Sequence, residues 1–181
     1  MFKKLDNTKA YRLLNHGPVV MITTLSGAGK PGIMTLTWLT VVNSDPPIIA
    51  ICVGSQAVTQ KSILKTKEFA INIPGTALLK KVVYCGSKSG RDENKFETAK
   101  LTQLKSKVIK APKIRECFVN LECKVIGHRK YDDVVMFVAK VVYCEVERKM
   151  FDDYLKTDAV KTIHHLGGGW FTTPGRRFKL G

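Results

Sequence analysis

GIMTLTWLTVVNSDPP, residues 32–47, crowds Met34, Thr35, Thr37, Trp38 and Thr40 into seven positions, then breaks at Asn43-Ser44-Asp45 before the rigid Pro46-Pro47 pair. Strand-forming residues dominate its first half. In a regular strand Thr35 and Thr37 share one face, and Leu36 and Trp38 share the other. Gly32 at the entrance and the two prolines at the exit predict a short, irregular, exposed strand. Where a strand leaves its ladder, its N–H and C=O groups need other partners. A planar heterocycle with donors and acceptors along one edge would supply them. A sheet edge running into a turn accounts for the same residues.

Upstream, Val19 to Leu25 is a β-rich run, and Ser26 to Gly32 (SGAGKPG) reads as a hairpin turn. GAGK lacks the G-x-x-x-x-G-K-[ST] spacing of a phosphate-binding loop, and Pro31 follows its lysine. Downstream, Pro47 to Val53 is continuously apolar, as a strand buried on both faces would be. Gly54 to Leu64 predicts a short helix capped by Ser55 or Thr59, whose N-terminal N–H groups suit a phosphate; a plain cap explains it equally. Phe69 to Ile73 alternates as a strand. Thr76 is expected to cap an amphipathic helix with Leu78, Leu79, Val82 and Val83 on one face and Lys80 and Lys81 outward. The loop Gly86 to Arg91 offers cationic and backbone donors for a phosphate, and Asp92 to Phe96 predicts a helical turn. Two long β runs between Glu116 and Glu147 flank Gly127 to Asp133. The second, from Val134 to Val146, is apolar in both registers up to Lys140, so one face suits the core and the other a second subunit. Near the end, Ile163 to Thr173 sets three glycines beside Trp170 and Phe171, an aromatic lid or a core anchor. Gly175 to Gly181 reads as a mobile basic tail.

A chain of 181 residues suggests one domain, 1–181, able to bury a core without disulfides or metals. The N-terminal residues lack the apolar stretch of a signal peptide, and PPIIAICVG is too short to span a membrane. Five cysteines form neither a C-x-x-C pair nor an even framework, which points to reduced thiols in a cytoplasm. Cys117 and Cys123 are expected on one strand face with Val119, Leu121 and Val125, as small core residues. His164 and His165 cannot both face one metal from a regular element, and His16 and His128 lack ligand-spaced partners, so no metal site is assigned. Thirty Lys and Arg against fifteen Asp and Glu leave a formal charge of +15, which attracts anions. The densest basic run, Lys100 to Arg115, has no interleaved aromatic residue for base stacking, and no nucleic-acid-binding signature occurs. Most of this charge is expected to be a solvated surface, with phosphorylated cofactors its specific beneficiaries.

Six segments, Pro18–Thr24, Gly32–Pro47, Glu68–Pro74, Cys85–Phe96, Ala111–Val125 and His165–Phe171, resemble in sequence and order the flavin reductase-like family, which includes the flavoredoxins. The resemblance implies a mainly β fold: an antiparallel split Greek-key β-barrel with peripheral helices. It also implies tightly but noncovalently bound FMN, and a homodimer with flavin sites near the interface. By resemblance, Met34, Thr35, Leu36, Thr37 and Trp38 border the flavin. Ser55 and Thr59 lie near its phosphate, with Thr59 as hydroxyl donor. Lys95, before Phe96, reaches the phosphate or the ring edge, with Ser89 and Arg91 as weaker candidates. Trp170, and after it Phe171, covers the isoalloxazine. The chain departs from the pattern at Asp132-Asp133-Val134, where many relatives carry Gly-Asp-His with the histidine at the flavin.

Three functions fit this resemblance. The first is a flavin or ferric reductase drawing on NADH or NADPH. The second is a flavoredoxin-like electron carrier with a protein donor, and the third a basic FMN-binding module without redox turnover. Thr35, Thr37, Trp38, Thr59 and Lys95 argue against the third. Flavin chemistry requires no side chain as catalytic acid or base. Small-molecule or protein electron donors and acceptors are the expected partners, and neither nucleic acid nor a membrane is expected.

Overall fold

The computed structural model describes residues 13–14 and 17–178; His16 and the last residues of the basic tail lie outside that set. Strand β1 (Val20–Leu25) pairs antiparallel with β2 (Pro31–Leu36) from Val20↔Leu36 to Leu25↔Pro31. The turn between them closes through the Ser26 N–H on the Lys30 carbonyl at 2.8 Å, with Gly29 at φ +77°. GAGK is therefore a hairpin, as its spacing required. There follow β3 (Leu39–Asn43), β4 (Ile48–Gly54), helix α1 (Val58–Thr66) and β5 (Glu68–Ile73). Helices α2 (Leu79–Ser87) and α3 (Lys95–Thr98) come next, then the short strands β6 (Gln103–Leu104) and β7 (Lys113–Ile114). Two long strands, β8 (Val119–Tyr131) and β9 (Val134–Val146), precede a small hairpin of β10 (His164–Gly167) and β11 (Trp170–Thr172).

Seven strands form one antiparallel sheet in the order β2-β1-β5-β8-β9-β4-β3. Its two edge strands are neighbours in sequence, separated only by Thr37 and Trp38. One run of chain thus pairs with β1 through its first half and with β4 through its second, and the sheet curls into a split barrel. At the corner the Cys52 N–H still reaches the Trp38 carbonyl at 2.9 Å.

Alternation along β1 sorts the two hydrophobic layers. Val20 and Ile22 point into the barrel with Ile51, Val53, Phe69 and Phe137, and Ile63 of α1 joins them. Val19 and Met21 point outward against Val82, Cys85, Phe96 and Ile114. Cys117 and Cys123 do not share a face, contrary to the strand pattern. Cys117 precedes β8 in the outer cluster, whereas Cys123 faces the barrel beyond a bulge at Glu122/Cys123. Burial pushes both thiols up, Cys123 to about 12. Strand β4 is not buried on both faces either: Cys52 is half-buried and Gly54 exposed.

Both expected helix caps shift. Ser55 donates its N–H to the Asp133 carbonyl at 2.7 Å and Ala57 donates to Gly54 at 3.0 Å, so this turn delays the helix until Val58. Ala57 becomes the N-cap, without a side-chain bond, and Thr59 sits in the first turn. Thr76 opens a 3₁₀ turn instead of capping α2, and Val83 is exposed. Lys81 is not simply outward, since its ammonium donates to the Lys100 carbonyl at 2.6 Å. Nor is the basic run wholly solvated. Lys113 is 1% exposed and pairs with Glu145 at 2.5 Å and with Glu122 at 3.4 Å. Glu122 also accepts the N–H groups of Lys107, Val108 and Ile109 at 2.7, 2.7 and 3.1 Å.

Burial would raise the Glu122 carboxyl, but those three N–H groups and Lys113 outweigh it and hold the group below the usual range. Its contribution to stability is therefore present above the unfolded value of about 4.3 and is lost as pH falls through the folded one. Glu122→Ala leaves three N–H groups without their acceptor and leaves Lys113 with Glu145 alone, and is expected to cost about 3 kcal/mol in urea unfolding at pH 7. The gap between variant and wild type should narrow in acid, below about pH 4.3; a pH-independent gap would contradict the ion-pair account.

Candidate functional site

A cavity of about 320 Å³ opens between the start of β2, the N-terminus of α1 and the 86–91 loop. Gly86 brings the end of α2 against β2, because a Cβ there would stand 3.2 Å from the Thr35 Cβ. The Thr35 hydroxyl completes that contact by donating to the Val82 carbonyl at 2.6 Å. Across the cavity, the Arg91 guanidinium donates to the Gln56 carbonyl at 2.7 Å, joining the loop to the turn before α1. Behind the loop, the Tyr84 hydroxyl donates to Glu93 Oε2 at 2.6 Å. That bond, with Thr98, Lys88 and Lys95 nearby, holds the Glu93 carboxyl below its usual range despite burial.

Lys95 is the unusual group. It lines the cavity, is only 6% exposed, and donates to the Cys85 carbonyl at 2.6 Å. No carboxylate of the described residues lies within ion-pair distance of it. Burial pulls the ammonium below the ordinary lysine range, opposed by Cys85 and Glu93. An ammonium has three donors, so one carbonyl leaves donor capacity for something else. Ala57 leaves the first N–H groups of α1 without a side-chain acceptor, and Val58 and Thr59 line the same cavity. An uncapped helix start carries partial positive charge. With Lys30, Lys88 and Arg91 also on the walls, the arrangement is a cradle for an anion.

Of the residues singled out from sequence, Met34, Thr59, Ser89, Arg91 and Lys95 line this cavity. Thr35 is engaged behind its wall, and Leu36 is buried in the barrel core. Thr37 and Trp38 form the strand corner. Trp38, 44% exposed, borders a separate apolar hollow of about 250 Å³ with Cys52 and Met136. Ser55 holds the β8–β9 turn through Asp133, and Gly54 pairs with Val134, which brings the departure from Gly-Asp-His close to Gln56 on the cavity wall. The sequence pattern offered Trp170 and Phe171 as a lid or an anchor. Phe171 anchors: it is half-buried against the outer cluster with its ring 5.1 Å from His165. Trp170 lies 76% exposed on the small hairpin, away from the cavity lining. Lys30 and the Gln56 carbonyl were not anticipated. Lys30 was visible only as a turn residue, and a carbonyl has no side-chain signature.

A larger cavity of about 830 Å³ lies elsewhere, between Tyr154 and residues 174–178. One exposed segment rests on another there, joined by the Arg177–Asp158 ion pair at 3.0 Å. Among the described residues it has no buried charged group comparable to Lys95, so volume alone does not identify the site.

Residues 12–164 match the model of the flavin reductase like domain. The chain belongs to this family. The YddH protein of Escherichia coli K12 is 35% identical to it, over 99% of this chain and 98% of its own. The flavoredoxin of Desulfovibrio vulgaris (Miyazaki F) shares the fold, with a TM-score of 0.88 at 24% identity over 99% and 97% of the two chains. An FMN-binding domain of a flavin reductases-like enzyme from Shewanella baltica OS155 superposes with a TM-score of 0.83 at 26% identity, covering 98% and 96%. Family membership and the split barrel expected from the ordered segments are thereby established.

Proposed function

We propose that this member of the family is an FMN-binding oxidoreductase that takes reducing equivalents from NADH or NADPH. The observation that carries the reading is Lys95, a buried cation with no carboxylate partner among the described residues, set opposite an uncapped helix start. That pair fits a phosphate dianion through charge-assisted bonds. The FMN-binding relative from Shewanella baltica supports phosphate-bearing flavin as the anion.

In this reading Lys95, Thr59, Ser89 and Arg91 hold the phosphate, while Met34 and the β2 backbone border the ring. FMN, when bound, supplies the hydride-accepting chemistry. The chain's own task is to orient and to exclude water. Val134, at the position of the family's usual histidine, is aliphatic and holds no proton, so no side chain there acts as an acid. Strand β3 exposes Val41 at 72% and Val42 beside Trp38, and the outer face of β9 is half-buried. Such an apolar edge fits a homodimer, in which a second copy would complete the surroundings of Trp38. Five free cysteines fit a reducing cytoplasm. The likeness in fold to a flavoredoxin supports a second reading, a carrier supplied by a protein donor.

Purified protein is expected to be yellow or to take up FMN on titration. Lys95→Ala should weaken FMN binding by about 1.5 to 3 kcal/mol, the scale of a hydrogen bond to a charged group. Lys105→Ala, which removes an exposed charge, should leave binding unchanged; equal losses in the two variants would contradict the assignment. In anaerobic stopped flow, NADH or NADPH is expected to bleach the wild-type flavin, with Val134→His altering the rate less than about tenfold, or 1.4 kcal/mol. Wild type that ignores both nicotinamides, beside a variant that responds, would select the carrier.

A further inference from the structure

The segment between β6 and β7 is held in place by its backbone. Every N–H from Lys107 to Ala111 ends on a carboxylate: those of Lys107, Val108 and Ile109 on Glu122, and those of Lys110 and Ala111 on Glu68 at 2.6 and 3.2 Å. Ser106 closes the loop by donating its hydroxyl to the Ala111 carbonyl at 2.5 Å, and Ile109 and Ala111 cluster with Ala70. The two carboxylates under the loop are thus engaged by amides, while the side chains of Lys107 and Lys110 stay exposed, with no ion pair among the described residues. Glu68 lies opposite Lys124 in the β5–β8 register, and Lys124 lies opposite Lys140 in the β8–β9 register. Both strand lysines are exposed, and neither has a carboxylate of the described residues within ion-pair distance.

Like charges directly opposite on neighbouring strands destabilise a sheet. Lys124 and Lys140 keep that arrangement beside a loop whose backbone is fixed, so four cations stand on one surface. It is not a small-ligand site, because none of the four lines the cavities described above. The 105–111 segment has no aromatic residue for base stacking. Val108, 46% exposed between Lys107 and Lys110, offers an apolar contact suited to a polypeptide. Arginine forks and large aromatic rings, which anchor tight interfaces, do not occur at these positions. Lysines alone favour association that is steered by charge and quickly reversed.

We propose that Lys107, Lys110, Lys124 and Lys140 form a docking surface for a carboxylate-rich segment of a partner protein, which associates transiently and apart from the ligand cavity. The surface does not depend on the flavin-binding reading above.

Fluorescence anisotropy of a labelled peptide of alternating Glu and Ser, titrated with the full chain at low salt, tests it. Wild type is compared with Lys124→Gln/Lys140→Gln and with Lys80→Gln/Lys161→Gln, which removes the same charge from exposed lysines on α2 and before β10. The first double variant should weaken peptide binding about fivefold, the scale of two exposed ion pairs, and the second less than about twofold. Urea unfolding should find Lys124→Gln/Lys140→Gln at least as stable as wild type, because the opposed charges are gone. A peptide that does not bind wild type, equal losses in the two double variants, or a destabilised first variant overturns the proposal. A greater loss with labelled duplex DNA than with the peptide assigns the surface to nucleic acid and overturns it as well.

Discussion

Because β2 and β3 are a single run of chain interrupted only at Thr37 and Trp38, the seven-stranded sheet must bend until its two edges meet. Every other feature of the site follows from that closure. It brings the Lys30 end of β2 beside the helix that leaves β4, so that the start of α1 faces the loop after α2 across a gap small enough for one ligand. Gly86 and the Thr35 hydroxyl then set how near α2 can come. Two threonines four residues or fewer from each other thus do different work from the one a strand pattern suggests: Thr35 fixes a neighbouring helix, and Thr37 belongs to the corner.

Two buried lysines show how the same side chain serves stability and binding. Lys113 is enclosed with Glu122 and Glu145, and its charge is matched within the protein. Lys95 bonds to a carbonyl, and no carboxylate of the described residues lies within ion-pair distance of it. A buried ammonium without a matched charge is costly, and in the proposed reading a bound anion would offset that cost. The contrast is visible in the chain's own geometry, and it is what motivates the ligand role proposed for Lys95.

The runs rich in strand-forming residues were legible: the hairpin from 20 to 36, the alternating run from 68 to 73, and the long pair β8–β9. Their signals are local. Sheet order was not readable from the residues themselves, because pairing between Ile22 and Ile71 or Gly54 and Val134 leaves no trace in neighbouring residues; only the family resemblance anticipated the barrel. The delayed start of α1 depends on Ser55 bonding to Asp133, a contact across more than half the barrel sequence, and Cys123 changes face through a bulge. Within the site, Lys95 and Thr59 were named through the family resemblance, and Arg91 as a cationic residue of the 86–91 loop. The Gln56 carbonyl and the uncapped helix start could not be named, since backbone groups are present at every position and only the fold aims them.

Amide hydrogen exchange of the flavin-free chain, compared with and without saturating FMN, tests the central claim that the smaller, cation-lined cavity is the ligand site. Binding there should slow exchange in residues 31–36, 57–60 and 86–95, and leave 154–178 unchanged although the larger cavity lies there. Protection confined to 154–178, or none in the first three segments, would contradict the account.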